Sequence, residues 1–441
     1  MTLSVPLALA LAVPAHAGLY AAAGKADITP DLRRSPVWLA GFGAKGRRAE
    51  GVLDRLYARA LVVSDGKRTV AFVGVDSLGL FREDVLDIRR RLGLDVFVAA
   101  THTHSAPDSL GLWGRWPGVS GVSPQYQERV KKAVIGLVKE LSGRMQEARM
   151  LSARKDLDLK GLCRDSRDPV VLDPELDVLS FRGKNGAMLG TLVRWSCHAE
   201  VLGRENKKVS ADYPGALCER VERRTGGECL FFPGLIGGLM TPDVHEEAGV
   251  RQEAAMRWLG SAVADAALSA LDKAESWDEA EVSMSSAAVR VPVENSRYLI
   301  FLHSLRRGHT LYDAEGWTLS RWEGMKRSAR ALFRYPLPKR LRPWIETEVS
   351  LVRLGPVAVL GVPGEMFPET APGLRERLGA HGIIAGLAND EIGYLVPAYD
   401  FKVTPNRFMH PRPPGTHYEE TNSVGKETTG RLLQAYDRLL Y

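Results

Sequence analysis

Cysteine is scarce in this sequence. Its 441 residues contain four, at Cys163, Cys197, Cys218 and Cys229, and no two are spaced as a Cys-x-x-Cys pair. Zinc ribbons, thioredoxin-type redox centres and a disulfide-built scaffold are thereby excluded. In an oxidising compartment one bridge, for example Cys218 to Cys229, is compatible with the spacing, and scattered buried thiols are the simpler reading. Long apolar runs are also missing beyond the first segment, so no later stretch is suited to span a bilayer. There is no glycine-rich loop ending in Gly-Lys-Ser/Thr and no G-x-S-x-G elbow, which argues against a nucleotide enzyme and a serine esterase. The sequence shows no repeat at a fixed period and no low-complexity tract.

Charge is absent from Leu3 to Gly24. An apolar core from Leu7 to Val13 leads there into Ala15-His16-Ala17, a small-x-small pattern suited to cleavage before Gly18. The expectation is a signal peptide over 1–17 and a secreted, periplasmic or cell-envelope protein, although the start lacks the usual Lys or Arg. Elsewhere the composition is that of a globular chain, 45% hydrophobic and 25% charged. Its net charge of +6 is unevenly placed. Residues 296–345 carry eleven basic and three acidic side chains, a local excess of +8, which leaves −2 for the rest. Trp317, Trp322, Phe333, Tyr335 and Trp344 are interleaved with those cations, and Pro336, Pro338 and Pro343 prevent one long helix. The block reads as an insertion or lid. Its aromatics and cations suit an anionic membrane surface, and no nucleic-acid partner is expected of a secreted chain.

Short apolar runs alternate with helical patterns. The predicted strands are Ala58–Val63, Thr69–Val75, Val96–Ala100, Val178–Phe181, Gly190–Cys197, Leu230–Phe232, Ala280–Val293, Val349–Leu360 and Gly382–Leu387. The predicted helices are Glu83–Leu92, Pro124–Leu141 with Ser123 as cap, Tyr213–Arg224, Glu247–Leu271, Glu369–Leu378 and Lys426–Leu440. The expected fold is α/β, with mixed β-sheets flanked by helices in a single large catalytic domain over 18–441.

Polar residues that follow buried strands are the natural site candidates in such folds. The strand Val96–Ala100 runs into Thr101-His102-Thr103-His104-Ser105, where two histidines at i and i+2 point to one side of an extended chain. Both can bind a metal, or one can bind while its neighbour moves protons. The same layout recurs at Cys197-His198-Ala199-Glu200, at Pro363-Gly364-Glu365 and at Asn389-Asp390-Glu391-Ile392-Gly393-Tyr394. Two histidines and a glutamate make a zinc set that leaves room for water. Asp76, after the strand ending at Val75, is a candidate carboxylate behind the ligands.

These segments, with Ala23-Gly24-Lys25-Ala26-Asp27-Ile28-Thr29-Pro30, Gly41-Phe42-Gly43 and Leu56-Tyr57-Ala58-Arg59-Ala60-Leu61, resemble the neutral/alkaline, non-lysosomal ceramidases. That family comprises zinc amidases that cleave ceramide into sphingosine and a fatty acid. The resemblance implies Zn2+ held by His102, His198, Glu365 and Tyr394, with His104 contacting the reacting carbonyl or passing protons. By the same resemblance Arg164 and Tyr418 would help to hold the substrate's oxygen. The family's Gly-Asp-Val-Ser-Pro loop stands here as Gly238-Leu239-Met240-Thr241-Pro242, so Thr241 keeps the hydroxyl while the acidic residue is lost. Full-length members carry a C-terminal immunoglobulin-like domain, whereas this sequence stops shortly after Tyr418 with one amphipathic helix. The implied activity is hydrolysis of the N-acyl bond of ceramide or a related lipid. The alternatives are a zinc hydrolase of the same fold acting on another amide or ester, and a non-catalytic lipid binder.

Overall fold

The computed structural model describes residues 18–165, 167–238, 240–243, 250–295, 298, 309–320, 322–324, 326–327, 336–402 and 419–440. Tyr418 and the 1–17 segment lie outside the described residues.

Strands rich in aliphatic residues build two mixed sheets. The larger begins at one edge with Glu228–Pro233, followed by Met188–Trp195, Glu175–Gly183, Gln146–Asp156, Tyr20–Asp27, Tyr57–Ser64 and Thr69–Val75, and ends with Asp95–Ala100 at the other edge. Its two edge pairs are parallel and its interior pairs antiparallel, and the short strand Glu275–Trp277 adds to Gln146–Asp156. The smaller sheet runs Val282–Pro292, Trp344–Leu354, Val357–Gly361 and Gly382–Ala385, the last pair parallel.

The period of two in a strand decides which layer each side chain enters. In Thr69–Val75, Val70 and Phe72 face the smaller sheet, where they share a core with Phe97, Phe232, Val352, Val359 and Ile383. Ala71, Val73 and Val75 face the other way, into a core with Val85, Ile88, Val134 and Val138 of the helices Arg82–Leu92 and Pro124–Ser142. Two sheets therefore pack face to face with helices outside both. Asp212–Thr225 and Val250–Leu271 cover the end of the larger sheet near Phe231, and Ala371–Leu378 with Thr428–Leu440 cover the smaller sheet. Strands buried on both faces read as continuous apolar runs, which is why most of them were visible in the sequence. Truncating one central aromatic such as Phe97 to Ala is expected to cost about 3–5 kcal/mol.

Helix ends follow their punctuation. Ser123 accepts from the backbone N–H of Tyr126 and Pro124 occupies the first turn of Pro124–Ser142, as expected. The predicted strand Val349–Leu360 is a correction. The structure has a hairpin instead, Trp344–Leu354 and Val357–Gly361, turned at Gly355 with φ +56°. Gly355-Pro356 was the signal, masked by apolar residues on both sides. Tyr20–Asp27 was not expected as a strand. Alanine and glycine favour strands little, and pairing along both edges of this segment overrides that preference. Within the basic block Trp344 and Ile345 belong to the smaller sheet, and Leu311 and Leu337 enter its core.

The carboxyl ends of strands from both sheets meet at one place. Asp95–Ala100 and Met188–Trp195 of the larger sheet lead to His102 and His198, and Val357–Gly361 of the smaller leads to Glu365. Asn389 joins the sheets at this end, its backbone N–H donating to the Val98 carbonyl at 2.7 Å and its Oδ1 accepting from the Val98 N–H at 2.9 Å.

Candidate metal centre

His102 leaves its strand in a left-handed backbone conformation, φ 62°, which costs a β-carbon residue of order 1–3 kcal/mol. The surroundings hold it there: the Thr101 N–H donates to the Val75 carbonyl at 2.9 Å, and His102 Nδ1 lies 2.7 Å from the Leu78 carbonyl. His198 is held in the same manner, Nδ1 at 2.8 Å from the Met240 carbonyl and the backbone N–H donating to that oxygen at 2.7 Å. A carbonyl only accepts, so both rings carry their proton on Nδ1 and present Nε2 to the interior. That arrangement orients histidines for a metal.

Both Nε2 atoms address one carboxylate oxygen, Glu365 Oε2, at 3.0 Å from His198 and 3.8 Å from His102. Ligands 2.0–2.1 Å from a tetrahedral zinc are roughly 3.3 Å apart, so these separations suit three corners of one coordination sphere. The nitrogens of His102, His104 and His198 all lie within 4.8 Å of one another, and all three residues are buried. The donor set of imidazoles and one carboxylate fits zinc. Burial and neighbouring charges act unevenly on these groups. Burial and the neighbouring imidazoles push His102 down to about 3 despite Glu365. His198 also suffers burial, but its hydrogen bond to Glu365 lifts it to about 9, while the imidazoles hold Glu365 below the usual carboxylate range against its own burial.

The backbone brings Tyr394 beside this set. Glu365–Met366 and Tyr394–Leu395 form a short parallel ladder with Glu365 opposite Tyr394, and Tyr394 is buried. Gly364 allows it: a β-carbon there would meet the Gly393 carbonyl at 2.5 Å.

His104 follows His102 by two residues and packs against the glycine of Gly41-Phe42-Gly43. A β-carbon on Gly41 would lie 2.4 Å from His104 Cγ, and the Phe42 ring meets the imidazole edge-on at 4.8 Å. The His104 backbone N–H donates to the Ala199 carbonyl at 3.0 Å, which sets the His102-x-His104 turn against His198-x-Glu200. The two i, i+2 pairs then match. Their first members face Glu365, and their second members face each other, His104 Nδ1 at 3.2 Å from Glu200 Oε2.

Glu200 was passed over as a functional residue in the sequence. Its signal was the i+2 spacing from His198, the same that had marked His104. Its other oxygen accepts from Thr241 Oγ1 at 2.6 Å. Although burial raises a carboxyl's pKa, His104, His198 and Thr241 bring Glu200 down to about 2. Thr241 and Arg164 stand opposite each other in a short antiparallel ladder, Cys163–Asp165 with Met240–Pro242. Arg164 is exposed. Arg167, the neighbouring arginine, is instead buried between Asp400, Glu419 and Glu420 and ties the 400 region to the chain that follows position 418. Asp76 accepts from the Tyr57 N–H at 2.8 Å, and burial raises it to about 6. All four cysteines are free and buried.

No protein-family model matches the sequence. The chain is 24% identical over 273 residues to a neutral ceramidase of Pseudomonas aeruginosa, an alignment that covers 55% of this chain and 40% of that protein. The chain thus spans less than half the length of this curated relative. The crystal structure of neutral ceramidase from Pseudomonas aeruginosa superimposes with a TM-score of 0.70 at 18% identity, over 96% of this chain and 74% of that one. A structure described as a ceramidase complexed with C2 gives 0.69, with the same identity and coverage. The likeness first seen in the His102, His198 and Glu365 segments therefore extends over nearly the whole chain, which has the fold of the neutral ceramidases and is similar to one of them in sequence.

Proposed function

We propose that the chain is a zinc-dependent amidase that hydrolyses the N-acyl bond of ceramide or a related N-acyl lipid. The observation that carries this reading is the approach of His102 Nε2 and His198 Nε2 to one oxygen of Glu365, both Nδ1 atoms being committed to backbone carbonyls. These three residues would hold the ion, with Tyr394, opposite Glu365 in the ladder, as the weaker fourth ligand. When bound, zinc supplies a Lewis acid for the amide carbonyl and lowers the pKa of a water from 15.7 to roughly 7.

Hydrolysis adds the oxygen of water to the carbonyl carbon and breaks the C–N bond, and the departing nitrogen needs a proton. In this proposal His104 moves it: Nδ1 lies 3.2 Å from Glu200 Oε2, which leaves Nε2 for the substrate. The Thr241 hydroxyl proton is committed to Glu200, so Thr241 acts by fixing that carboxylate. Arg164, opposite Thr241, and Tyr418 supply positive charge and a hydroxyl to the oxygen that becomes negative, work typically worth about 2.7–4 kcal/mol per donor.

The proposal includes export through the uncharged segment before Gly18 and peripheral membrane contact through 296–345. Among the described residues no helix is long and apolar enough to cross a membrane. Mass spectrometry of the secreted chain, with an N-terminus at Gly18, tests the first point. A second reading, a different amide or ester substrate, is favoured by the Gly238-Leu239-Met240-Thr241-Pro242 loop, which lacks the acidic residue of the ceramidase loop. Turnover of a fluorescent short-chain ceramide by the zinc-loaded protein, abolished by chelation and restored by zinc, supports the ceramide reading. Turnover of a soluble N-acyl amide alone selects the second.

A further inference from the structure

Two loops next to His104 form an exposed tip that the chemistry above does not use. The first, 41–48, begins with the glycine and phenylalanine that pack on His104. The second, 109–121, is drawn in by Asp108, whose carboxylate accepts from the backbone N–H groups of Leu110, Gly111, Trp113 and Gly121 at 2.6 to 3.1 Å. The loops are clamped together: Trp113 Nε1 donates to the Gly43 carbonyl at 2.9 Å, and the Gly46 N–H to the Gly114 carbonyl at 2.9 Å. The tip is therefore a built surface whose exposure is fixed by its anchors.

Its outer side chains are of two kinds. Trp116 is 58% exposed and Val119 47% exposed. Lys45 Nζ lies 5.4 Å from the Trp116 ring and Arg115 5.9 Å from it, and Arg48, at the end of the first loop, is exposed. No Asp or Glu occurs from Pro36 to Ala49 or from Ser109 to Gln127. An outward tryptophan flanked by two cations, on loops that carry no acid of their own, matches the boundary of an anionic membrane, where indole sits at headgroup depth and lysine and arginine meet phosphate and carboxylate.

We propose that this double-loop tip docks on an anionic lipid bilayer, with Trp116 and Val119 entering the interface and Lys45, Arg48 and Arg115 facing the headgroups. It deepens the N-acyl lipid reading, since the tip's base is the Phe42 that touches His104 and docking brings bilayer lipid to that side chain.

Binding to vesicles of phosphatidylcholine with and without phosphatidylserine tests the proposal through sedimentation and tryptophan emission. The wild type is expected to bind only the phosphatidylserine vesicles, with a blue shift that Trp116→Ala removes. Lys45→Gln with Arg115→Gln is expected to weaken binding roughly 30-fold. Trp317→Ala with Trp322→Ala, in the other basic aromatic stretch, is expected to weaken binding less than either tip variant does. Wild-type affinity in the tip variants, a larger loss in the Trp317 and Trp322 variant than in the tip variants, or no binding by the wild type each overturns the proposal. All these side chains are exposed, so unchanged melting temperatures confirm that folding is intact. Binding is read without turnover, so its outcome is independent of whether the amidase assignment stands.

Discussion

Replacing Glu200 by Gln keeps the side chain's size and removes its charge. In the folded protein one carboxylate oxygen accepts from Thr241 at 2.6 Å and the other lies 3.2 Å from His104 Nδ1, in a largely buried position. Hydrogen bonds to a charged group contribute about 1.5–3 kcal/mol each, against about 1 for a neutral pair. If His104 moves the proton and Glu200 fixes its tautomer, this difference of about 0.5–2 kcal/mol falls on the transition state, and kcat for ceramide hydrolysis should drop roughly 2- to 30-fold. KM should change little, because in the proposed mechanism the substrate meets His104 and not Glu200. The assay is steady-state hydrolysis of a fluorescent short-chain ceramide by wild type, Glu200→Gln and Glu200→Asp, with zinc content and melting temperature measured on the same samples. Partial recovery of kcat in the Asp variant, at unchanged zinc content, is the expected signature. Wild-type kcat in the Gln variant would refute the reasoning, and a loss of kcat that follows zinc content would reassign Glu200 to the metal.

Three further outcomes follow from the geometry. Gly41→Ala places a β-carbon 2.4 Å from His104 Cγ and should lower kcat at least about 10-fold by shifting that ring, with zinc retained; normal kinetics would show that the loop yields instead. His198→Ala removes the nitrogen nearest Glu365 and should bring bound zinc well below one per chain by elemental analysis. His309, buried 3.2 Å from Asp390 and 3.9 Å from Glu83, is lifted to about 9 because those carboxylates outweigh its burial. Its stabilising contribution is present in full below the unfolded value of 6.5 and is lost as pH rises through 9, about 3 kcal/mol in all. Urea unfolding across that range should show the decline in wild type and a smaller one in His309→Gln; equal declines would place its origin elsewhere.

What the sequence disclosed depended on periodicity and position. Thr69–Val75 and Val96–Ala100 were legible because both of their faces are buried, so apolar residues run unbroken. His102, His198 and Glu365 were legible because each follows such a run, and carboxyl ends of strands are where α/β folds gather ligands. Tyr20–Asp27 escaped because its alanines carry no strand signal apart from their partners. The hairpin at Gly355 escaped because apolar residues continue through it. Glu200 needed the structure. Its pairing with His104 arises from a contact between loops 96 residues apart in the chain, fixed by the His104 to Ala199 hydrogen bond, and no local pattern contains that.

The central claim is that His102, His198 and Glu365 hold one zinc ion. A crystal structure of the zinc-loaded protein, with anomalous differences measured on both sides of the zinc absorption edge, tests it most directly. The account predicts one ion within about 2.0–2.2 Å of His102 Nε2, His198 Nε2 and a Glu365 oxygen. An ion bound by His104 and Glu200, or no ion among these residues at full zinc loading, would contradict it.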